Sequence, residues 1–275
     1  PTTDPYSTGV RRQPGRFVGN LTVDANTSGY WRFDDLGSGA DGLRDLSGNG
    51  NNGTLNGPVY VNDSVGGTAL KFSGPNDIVN IADSDLLSFG NSVSDFPFSI
   101  EAWIKPNGTN SLLSIFSKGE NGGDAEYSFF IQANNKVRIA LYDPGPAGNN
   151  IRADSTSEVI TADDVGTWVF MTMTYDGSSS ESGFNVYKNG IQVALTRAES
   201  GTYVAMHNHA EDANIGRLFD LTQFYANATI DEVRILNRSL TAAEVLADYR
   251  KGATGLGLLS NDYINYSANG NFNER

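Results

Sequence analysis

The sequence predicts an all-β protein, a two-sheet antiparallel jelly-roll sandwich with one short C-terminal helix and extended terminal arms. Apolar residues mostly alternate with polar ones in short runs, which is the pattern of half-buried antiparallel strands. Clusters of Gly, Asn, Asp and Ser, the usual turn-forming residues, separate these runs. A chain of 275 residues, 39% of them apolar and none of them cysteine, can bury a β core without disulfides.

About a dozen short segments have this alternation, and their spacing favours two packed sheets. In each, one face can be buried because successive side chains point to opposite sides of a strand. In chain order the predicted strands are Gly29–Phe33, Val59–Asn62, Ala69–Phe72, Ile78–Ile81, Phe98–Lys105, Leu112–Ser117, Glu126–Gln132, Lys136–Tyr142, Thr167–Tyr175, Phe184–Lys188, Ile191–Thr196, Ala213–Arg217 and Ala228–Leu236.

The dipeptide Asn189-Gly190 marks the clearest hairpin. It lies between two alternating runs, and both residue types accept the positive φ angles of a tight type I′ turn. The sequence therefore predicts that the strands on either side of it pair with each other.

One helix is predicted after the last strand. Thr241 and Glu244 have the spacing of a capping box, and Gly252 closes the helix at its C-terminal end. We expect Val245 and Tyr249, which share one helical face, to pack against a sheet.

The chain divides into one domain and two arms. Residues 1–25 and 253–275 are rich in Gly, Ser, Thr and Asn and have little periodicity, so they are assigned to an N-terminal and a C-terminal arm around a domain at 26–252. Two interpretations of the arms stay open: they dock on neighbouring subunits, or they lie along their own sandwich.

The charge balance excludes several classes of partner. A net charge of -13 repels phosphate backbones and anionic lipids, and no basic run interleaved with aromatic residues reverses it, so nucleic acid is not expected. No apolar stretch approaches the roughly 20 residues of a membrane span. The first residues lack the apolar core of a secretion signal, so we expect a signal to have been removed already or never to have existed, with Pro1 favouring the second.

Three stretches carry the most distinctive motifs of the chain. They are GYWRFDD at 29–35 followed by LRDLSGNGNNGTL at 43–55, FSIEAWIK at 98–105, and ATIDEVRILNRSLT at 228–241. Together they resemble the laminin-G-like branch of the concanavalin A-like lectin/glucanase superfamily. This resemblance implies a jelly roll of two curved sheets, often with one calcium ion at its rim. It does not fix the function, since the fold hosts lectins, hydrolases, adhesion modules and structural domains.

The residues of the first stretch also predict a calcium loop. Asp45, Ser47 and Asn49 place oxygen-bearing side chains at alternate positions, Gly50 follows at the sixth position, and Asn51 offers a backbone carbonyl. The alternative is a plain cluster of Asx turns.

The loop lacks one calcium ligand. Its twelfth position is Asn56 rather than a bidentate Glu, so a ligand must come from elsewhere. The family resemblance implies Asp231 or Glu232 on the closing strand, with Asp34 or Asp35 next. We expect a structural rather than a catalytic ion.

Four aromatic residues that are not assigned to the predicted core are candidate carbohydrate contacts. Phe219, Phe224 and Tyr225 lie in one loop and Tyr142 in another segment, each near Asp, Asn or Gln. Sugar recognition combines an aromatic ring with amides and carboxylates that hold hydroxyl groups. The alternative is that Phe219 and Phe224 plug the edge of the sandwich.

A glycoside hydrolase is not expected. Its chemistry needs two carboxylates about 5 to 10 Å apart across the sugar, and the Glu-x-Asp-x-x-Glu strand of the hydrolase relatives is absent. The nearest pairs are Asp124 with Glu126 and Glu211 with Asp212.

The only two histidines are His207 and His209. Their spacing would put both on one face of an extended segment, as a metal half-site completed by Asp212 or Glu211 requires. The simpler interpretation is a polar loop with two solvated imidazoles.

The leading functional hypothesis is a non-enzymatic structural or decoration subunit of an extracellular assembly, such as a virion or filament, with glycan contact. Its partners would be copies of itself or other subunits, bound through the arms, at an extracellular, cell or virion surface. The alternative is a freestanding carbohydrate-binding or adhesion module. A glucanase-type glycoside hydrolase is the third and least favoured hypothesis. Glycosylation sequons, which suit a secreted surface, begin at Asn20, Asn26, Asn52, Asn62, Asn107, Asn227, Asn237 and Asn265.

Overall fold

The computed structural model describes residues 21–34, 43–121, 123–143, 148–221 and 224–258. Most of both predicted arms, residues 1–20 and 259–275, lies outside these ranges. The strands are β1 (Thr27–Trp31), β2 (Gly53–Asn56), β3 (Val59–Val61), β4 (Ala69–Phe72), β5 (Ile78–Ile81), β6 (Phe98–Pro106), β7 (Leu113–Lys118), β8 (Tyr127–Ile131), β9 (Val137–Asp143), β10 (Asn149–Ser155), β11 (Val169–Tyr175), β12 (Phe184–Lys188), β13 (Ile191–Gln192), β14 (Leu195–Ser200), β15 (Ala213–Ile215) and β16 (Ala228–Leu236), followed by helix α1 (Ala242–Gly255).

The strands form two antiparallel sheets of eight strands each, which confirms the predicted fold class. Sheet A has the order β13-β12-β11-β6-β16-β4-β3. The long strand β16 pairs with β4 through residues 228–230 and with β1 through residues 233–236, so β1 and β4 share one side of it. Sheet B has the order β14-β10-β9-β8-β7-β15-β5-β2.

A continuous apolar core lies between the sheets. Phe98 of sheet A and Tyr127 of sheet B, both fully buried, have ring centroids 5.1 Å apart. Trp31 stacks on Phe116 with centroids 6.0 Å apart, again across the two sheets. These aromatic contacts bury the inward face that the alternating pattern predicted.

Several strands have the predicted bounds, including β4, β5, β12 and β16. The predicted strand Ile191–Thr196 is wrong, because this segment is divided between the two sheets. Strand β13 ends in sheet A at Gln192, and after Ala194 the chain starts β14 in sheet B. Strands β2 and β10 were not predicted.

The Asn189-Gly190 turn is confirmed. The φ angles of Asn189 and Gly190 are 51° and 78°, as a type I′ turn requires. The Asn189 side chain also accepts a hydrogen bond from the Phe170 N–H, at 2.8 Å, which ties the turn to β11.

Helix α1 packs on the outer face of sheet A. Thr241 and Glu244 form the predicted capping box. The Tyr249 ring stacks on Trp103 with centroids 5.8 Å apart, as expected for this helical face. Gly252 lies so close to the Trp103 ring that a Cβ there would meet it at 2.5 Å.

A buried ion network holds the helix in place. Arg234 of β16 is hydrogen-bonded to Glu101 of β6 and to Asp248 of α1. It also donates to the Thr22 carbonyl at 2.7 Å, so the described end of the N-terminal segment contacts β16. Within the described ranges, no helix has both the length and the apolar character needed to cross a bilayer.

Candidate functional site

The candidate site is on the face of sheet B that points away from the core. In β9, Val137, Ile139 and Leu141 point into the core, so the alternating Arg138, Ala140 and Tyr142 lie on the opposite face. In β10, Ile151 and Ala153 point into the core. The polar side chains that alternate with them therefore lie on the same outer face as Tyr142. We call the side chains of Arg138, Tyr142, Asn150, Arg152 and Asp154 the β9–β10 face.

The strand register sets the neighbours on this face. Arg138 lies opposite Asp154, Ala140 opposite Arg152, and Tyr142 opposite Asn150. Arg152 is therefore flanked along its strand by an amide and a carboxylate.

Arg138 and Asp154 form a two-point ion pair. The Arg138 Nε and Nη2 atoms donate to the two Asp154 carboxylate oxygens at 2.7 and 3.0 Å. Gln132 also donates to Asp154 Oδ1, at 2.8 Å. The hydrogen bond to Asp154 raises the pKa of Arg138, and the planar pairing fixes both side chains.

Tyr142 connects this pair to an aromatic cluster. Its ring meets Phe219 edge to face, with centroids 5.7 Å apart. Its hydroxyl lies 3.3 Å from the Ser128 hydroxyl, and burial raises its pKa. The cluster consists of Ala125, Phe130, Leu218 and Phe219, with the partly buried Leu112, Tyr142 and Phe224 packed against it.

The loop at residues 217–219 folds over the sheet beside Tyr142. The Ser117 hydroxyl of β7 donates to the Arg217 carbonyl at 3.0 Å and accepts from the Phe219 N–H at 2.9 Å. These two bonds seat the loop on the sheet and place Phe219 against Tyr142. The loop therefore forms one border of the β9–β10 face.

The structure thus brings together Tyr142, Phe219 and Phe224 of the four predicted carbohydrate contacts. Phe219 is only 4% exposed, so its ring packs inside the protein, whereas Tyr142 and Phe224 are partly exposed. Tyr225 pairs with Arg217 in an isolated bridge and is also partly exposed. Residues 144–147 and 222–223, which adjoin these positions, lie outside the described ranges.

The sequence analysis missed the charged residues of this face. The sequence signal was the alternation Asn150-Ile151-Arg152-Ala153-Asp154, in which two apolar residues alternate with three polar ones. With only two apolar positions, this run did not stand out as a strand.

The predicted calcium loop is closed by its own hydrogen bonds. The Asp45 carboxylate accepts from the Tyr30 and Ser47 N–H groups at 3.0 and 2.8 Å. It also accepts from the Ser47 hydroxyl at 2.6 Å and from the Asn51 N–H at 3.0 Å. Arg44, Asp45, Gly48, Gly50 and Asn52 line an open recess of about 410 Å³ beside the loop.

Two of the amides of this loop, those of Asn49 and Asn51, point their donors inward. Asn49 and Asn51 each donate from Nδ2 to the Ser28 carbonyl, at 3.1 and 2.9 Å. The Asn51 carbonyl, predicted as a calcium ligand, accepts from the Trp31 indole at 2.8 Å. Calcium needs about six to eight oxygen ligands, so an ion fits here only after both amides turn their oxygens inward.

Asp231 is engaged elsewhere in the fold. It is fully buried, and its carboxylate accepts from the N–H groups of Val65 and Glu232, each at 2.8 Å. The neighbouring Glu232 is bonded to the Tyr30 hydroxyl and to Leu21. In the parts of the chain that the structure describes, no three His, Asp or Glu side chains are grouped to hold a metal.

Of the acidic residues considered for catalysis, Glu126 places its carboxylate against a buried lysine, Lys118. Lys118 is fully buried and donates to Asp83 and to the carbonyls of His209 and Glu211. Glu126, also fully buried, accepts from the Lys118 ammonium at 2.9 Å. Burial raises the pKa of the Glu126 carboxyl, and the positive charge of Lys118 opposes this rise.

The remaining acidic and imidazole groups lie beside this pair. The His207 and His209 rings stack with centroids 5.5 Å apart. Each faces a different carboxylate: His207 Nε2 lies 3.6 Å from Asp143, and His209 Nδ1 lies 3.5 Å from Asp124. Asp212, predicted as their metal partner, instead accepts from the Asp83 N–H at 3.1 Å.

A family model places this architecture among known proteins. The model, described as the Concanavalin A-like lectin/glucanases superfamily, matches residues 73–246, more than half of the chain. The match confirms the family indicated by the sequence motifs. No curated protein matches the chain.

Solved structures with the same fold include binding domains of toxins. The botulinum neurotoxin serotype G binding domain is 19% identical with a TM-score of 0.59. The binding domain of Paraclostridial Mosquitocidal Protein 1 is 15% identical with a TM-score of 0.58. Both alignments cover 82% of this chain, which spans only about half of those domains, 51% and 52%.

Domain 4 of AbnA, a GH43 extracellular arabinanase from Geobacillus stearothermophilus, has the same fold and a matching size. It was solved in complex with arabinotriose, is 18% identical and has a TM-score of 0.53. The alignment covers 82% of this chain and 98% of that domain. At these identities, all three likenesses establish the fold.

Proposed function

This chain belongs to the concanavalin A-like lectin/glucanases superfamily, and we propose that it is a non-enzymatic carbohydrate-binding domain of a secreted or surface-exposed protein. The binding site is the β9–β10 face together with the loop that borders it.

The observation that carries this proposal is the arrangement around Tyr142. A partly exposed aromatic ring lies among arginine, amide and carboxylate groups whose positions are fixed by hydrogen bonds. An aromatic surface can pack on the C–H face of a sugar ring while fixed polar groups bind its hydroxyls. Because these groups are already held in place, binding costs little side-chain entropy.

The likeness to the arabinanase domain supports a saccharide as ligand, because that domain was solved in complex with arabinotriose and the alignment covers nearly all of it. That domain belongs to an extracellular enzyme, which supports an extracellular location here. The toxin domains are named for binding alone.

The non-enzymatic part of the proposal rests on the acidic cluster. A glycosidase needs an acid and a base that reach the scissile bond. Glu126 is buried against Lys118, so its carboxylate cannot reach a sugar. Its sequence neighbour Asp124 is more than half exposed and faces His209.

We retain calcium as a structural part of the proposal. Asp45, Ser47, Asn49 and Asn51 would hold the ion. The Asp45 and Ser47 oxygens already lie together beside the Ser28 carbonyl, and the Asn49 and Asn51 amides, which now donate to that carbonyl, would turn their oxygens toward the ion. The bound ion would fix this loop to β1 rather than take part in chemistry.

The test is binding to a panel of immobilised polysaccharides, with arabinan as the neutral member and polygalacturonate as the acidic one. Tyr142→Ala should weaken retention on the bound polysaccharide at least about tenfold, since a well-packed aromatic contact is worth that much. The matched control is Phe96→Ala, which removes an exposed ring, 45% accessible, from a different loop. Equal binding by wild type and Tyr142→Ala would contradict this location of the site.

A second proposal, favoured by a separate observation, is a structural or decoration subunit of an extracellular assembly such as a virion or filament. Four strongly exposed apolar side chains, Leu86, Val93, Phe96 and Val204, lie on two loops. The loops are joined by the bond from the Ser92 N–H to the Met206 carbonyl, at 2.9 Å. Exposed apolar side chains on two joined segments suit contact with copies of this chain or other subunits. Light scattering that finds only monomers at high concentration would contradict self-association.

A further inference from the structure

Arg152 is the least satisfied charged group on the β9–β10 face. Its side chain is 34% exposed. Among the described residues, its guanidinium makes one hydrogen bond, from Nη1 to Asn150 Oδ1 at 3.3 Å. Its Nε atom is buried from water and has no hydrogen-bond partner in the described structure. Four of the five N–H donors of an arginine are on its two terminal nitrogens, and only one of these four is hydrogen-bonded to a described residue, so the terminal donors remain available to a ligand.

Asp154 neutralises Arg152 only in part. Its carboxylate is already bound at two points by Arg138 and at a third by Gln132. The Arg152 Nε lies 4.0 Å from Asp154 Oδ2, outside hydrogen-bond distance. The two guanidinium groups therefore share one carboxylate, and Arg138, the closer of the two, is hydrogen-bonded to both of its oxygens.

The local charge is opposite to that of the whole chain. The net charge of the chain is -13. On the β9–β10 face, however, Arg138 and Arg152 share one carboxylate, that of Asp154, and a third cation, Lys136, precedes Arg138 by two residues on the same strand side. Lys136 is held by the Thr156 carbonyl at 2.9 Å, so it brings no counter-charge with it. The excess positive charge is centred on Arg152.

Tyr142 lies close enough to Arg138 and Arg152 that both cations oppose the rise of its pKa. A planar guanidinium with parallel donors matches a carboxylate or sulfate, and an adjacent aromatic ring matches the face of a sugar. We infer that the saccharide bound at this face is anionic, a uronate-containing or sulfated polysaccharide, with its charged group bound by Arg152. This inference rests on the proposed carbohydrate-binding function and narrows its ligand class.

The experiment compares matched neutral and charged polymers on the purified full chain. Affinity electrophoresis is run with arabinan and dextran as neutral polymers, polygalacturonate for carboxylates and dextran sulfate for sulfates. The variant is Arg152→Gln, and the control is Arg250→Gln, which removes the same charge from an exposed position on α1. Melting curves of both variants report whether they fold.

We expect wild type to bind a charged polymer and not its neutral counterpart, and the preferred polymer identifies the carboxylate or the sulfate. Arg152→Gln should weaken this binding at least about tenfold, the loss typical of a hydrogen-bonded charged contact, and Arg250→Gln should not. Arg152→Lys, which keeps the charge and loses the planar fork, should fall between wild type and Arg152→Gln. Asp154→Asn should bind more tightly than wild type, because it removes the competing carboxylate.

The outcomes separate the two proposals. Binding to arabinan as tight as to the charged polymers would overturn the anionic ligand and leave a carbohydrate-binding domain. Charged-polymer binding that Arg250→Gln weakens as much as Arg152→Gln would also overturn it, since the interaction would then be diffuse. No binding to any polymer would overturn both.

Discussion

Lys118 and Glu126 form an ion pair in which neither side chain is exposed, with 2.9 Å between Nζ and Oε1. Glu126 also accepts from the His209 N–H at 3.1 Å, and Lys118 donates to the His209 and Glu211 carbonyls. The pair therefore fixes the histidine segment to the ends of β7 and β8. It also removes Glu126 from any role at the protein surface.

Replacing the lysine should strongly destabilise the fold. Lys118→Met is expected to lower the free energy of unfolding by about 3 to 5 kcal/mol, because it leaves the Glu126 charge buried without a partner. Urea denaturation measures the loss. The double variant Lys118→Met/Glu126→Gln should recover part of it. If the two substitutions are simply additive, the pair is not coupled as described.

Stability should depend on pH through Glu232. Burial raises its pKa from 4.5 to about 7, although its hydrogen bond with Tyr30 and the charge of Arg32 oppose the rise. A raised folded-state pKa means that the folded chain binds the proton more tightly than the unfolded chain. Its stabilising contribution is therefore full below pH 4.5 and is lost as the pH rises through about 7.

The comparison that isolates this effect is Glu232→Gln. Wild type should lose more unfolding free energy than the variant between pH 4.5 and 7, a difference on the order of 3 kcal/mol at most. Urea titrations across this range measure it. Burial also raises the pKa of Glu101, to about 7. Because Glu101 is present in both proteins, its contribution to the pH dependence cancels in this comparison. Parallel stability curves would contradict the shift assigned to Glu232.

Gly252 should not tolerate a side chain. A Cβ at this position would lie 2.5 Å from the Trp103 ring, so Gly252→Ala must displace the helix or the indole. The expected cost is about 1 to 3 kcal/mol, measured by thermal denaturation. The control is Gly108→Ala, where a Cβ meets nothing within 4 Å. Equal melting temperatures for the two variants would show that the helix is not packed this closely.

Phe219 should contribute to stability more than to ligand contact. It is 4% exposed and packs against Tyr142, so Phe219→Ala is expected to cost about 3 kcal/mol. Phe224→Ala, at a partly exposed position in the same cluster, should cost less. Chemical denaturation of both variants tests the ranking, and the reverse order would contradict the packing described.

Calcium should be tested by its effect on melting. An ion that binds only the folded state adds about 2.7 kcal/mol at a hundredfold excess over Kd, so chelator should lower the melting temperature of wild type. An unchanged melting temperature would remove calcium from the proposal. Asp45→Ala should be destabilised even in chelator, because the carboxylate accepts four hydrogen bonds from the protein.

Local patterns explain which elements could be predicted. Strand β16 has its predicted bounds because apolar residues recur along its nine residues, although the pairing register shifts between Asp231 and Arg234. The helix start was predictable because Thr241 and Glu244 satisfy each other within one turn. The Asn189-Gly190 turn was predictable because its backbone requirement belongs to the two residues themselves. None of these depends on a distant part of the chain.

The candidate site could be predicted only in part. Tyr142, Phe219 and Phe224 were chosen by their residue types, and the fold brings them together. Arg152 was missed because β10 has a weak apolar pattern and because its role depends on what lies beside it. The loop at Asp45 was predicted from the spacing of its oxygens, but the sequence did not tell how many of those oxygens the protein itself would occupy.

By itself, the sequence determined the fold class, the family, most strand positions and the helix cap, because alternation and capping are properties of neighbouring residues. Only the tertiary structure decided that Arg138 takes both oxygens of Asp154, that Arg152 is left with free donors, and that Lys118 meets Glu126. These contacts depend on strand order and register, which are fixed by packing the two sheets across the whole chain rather than by any local run of residues.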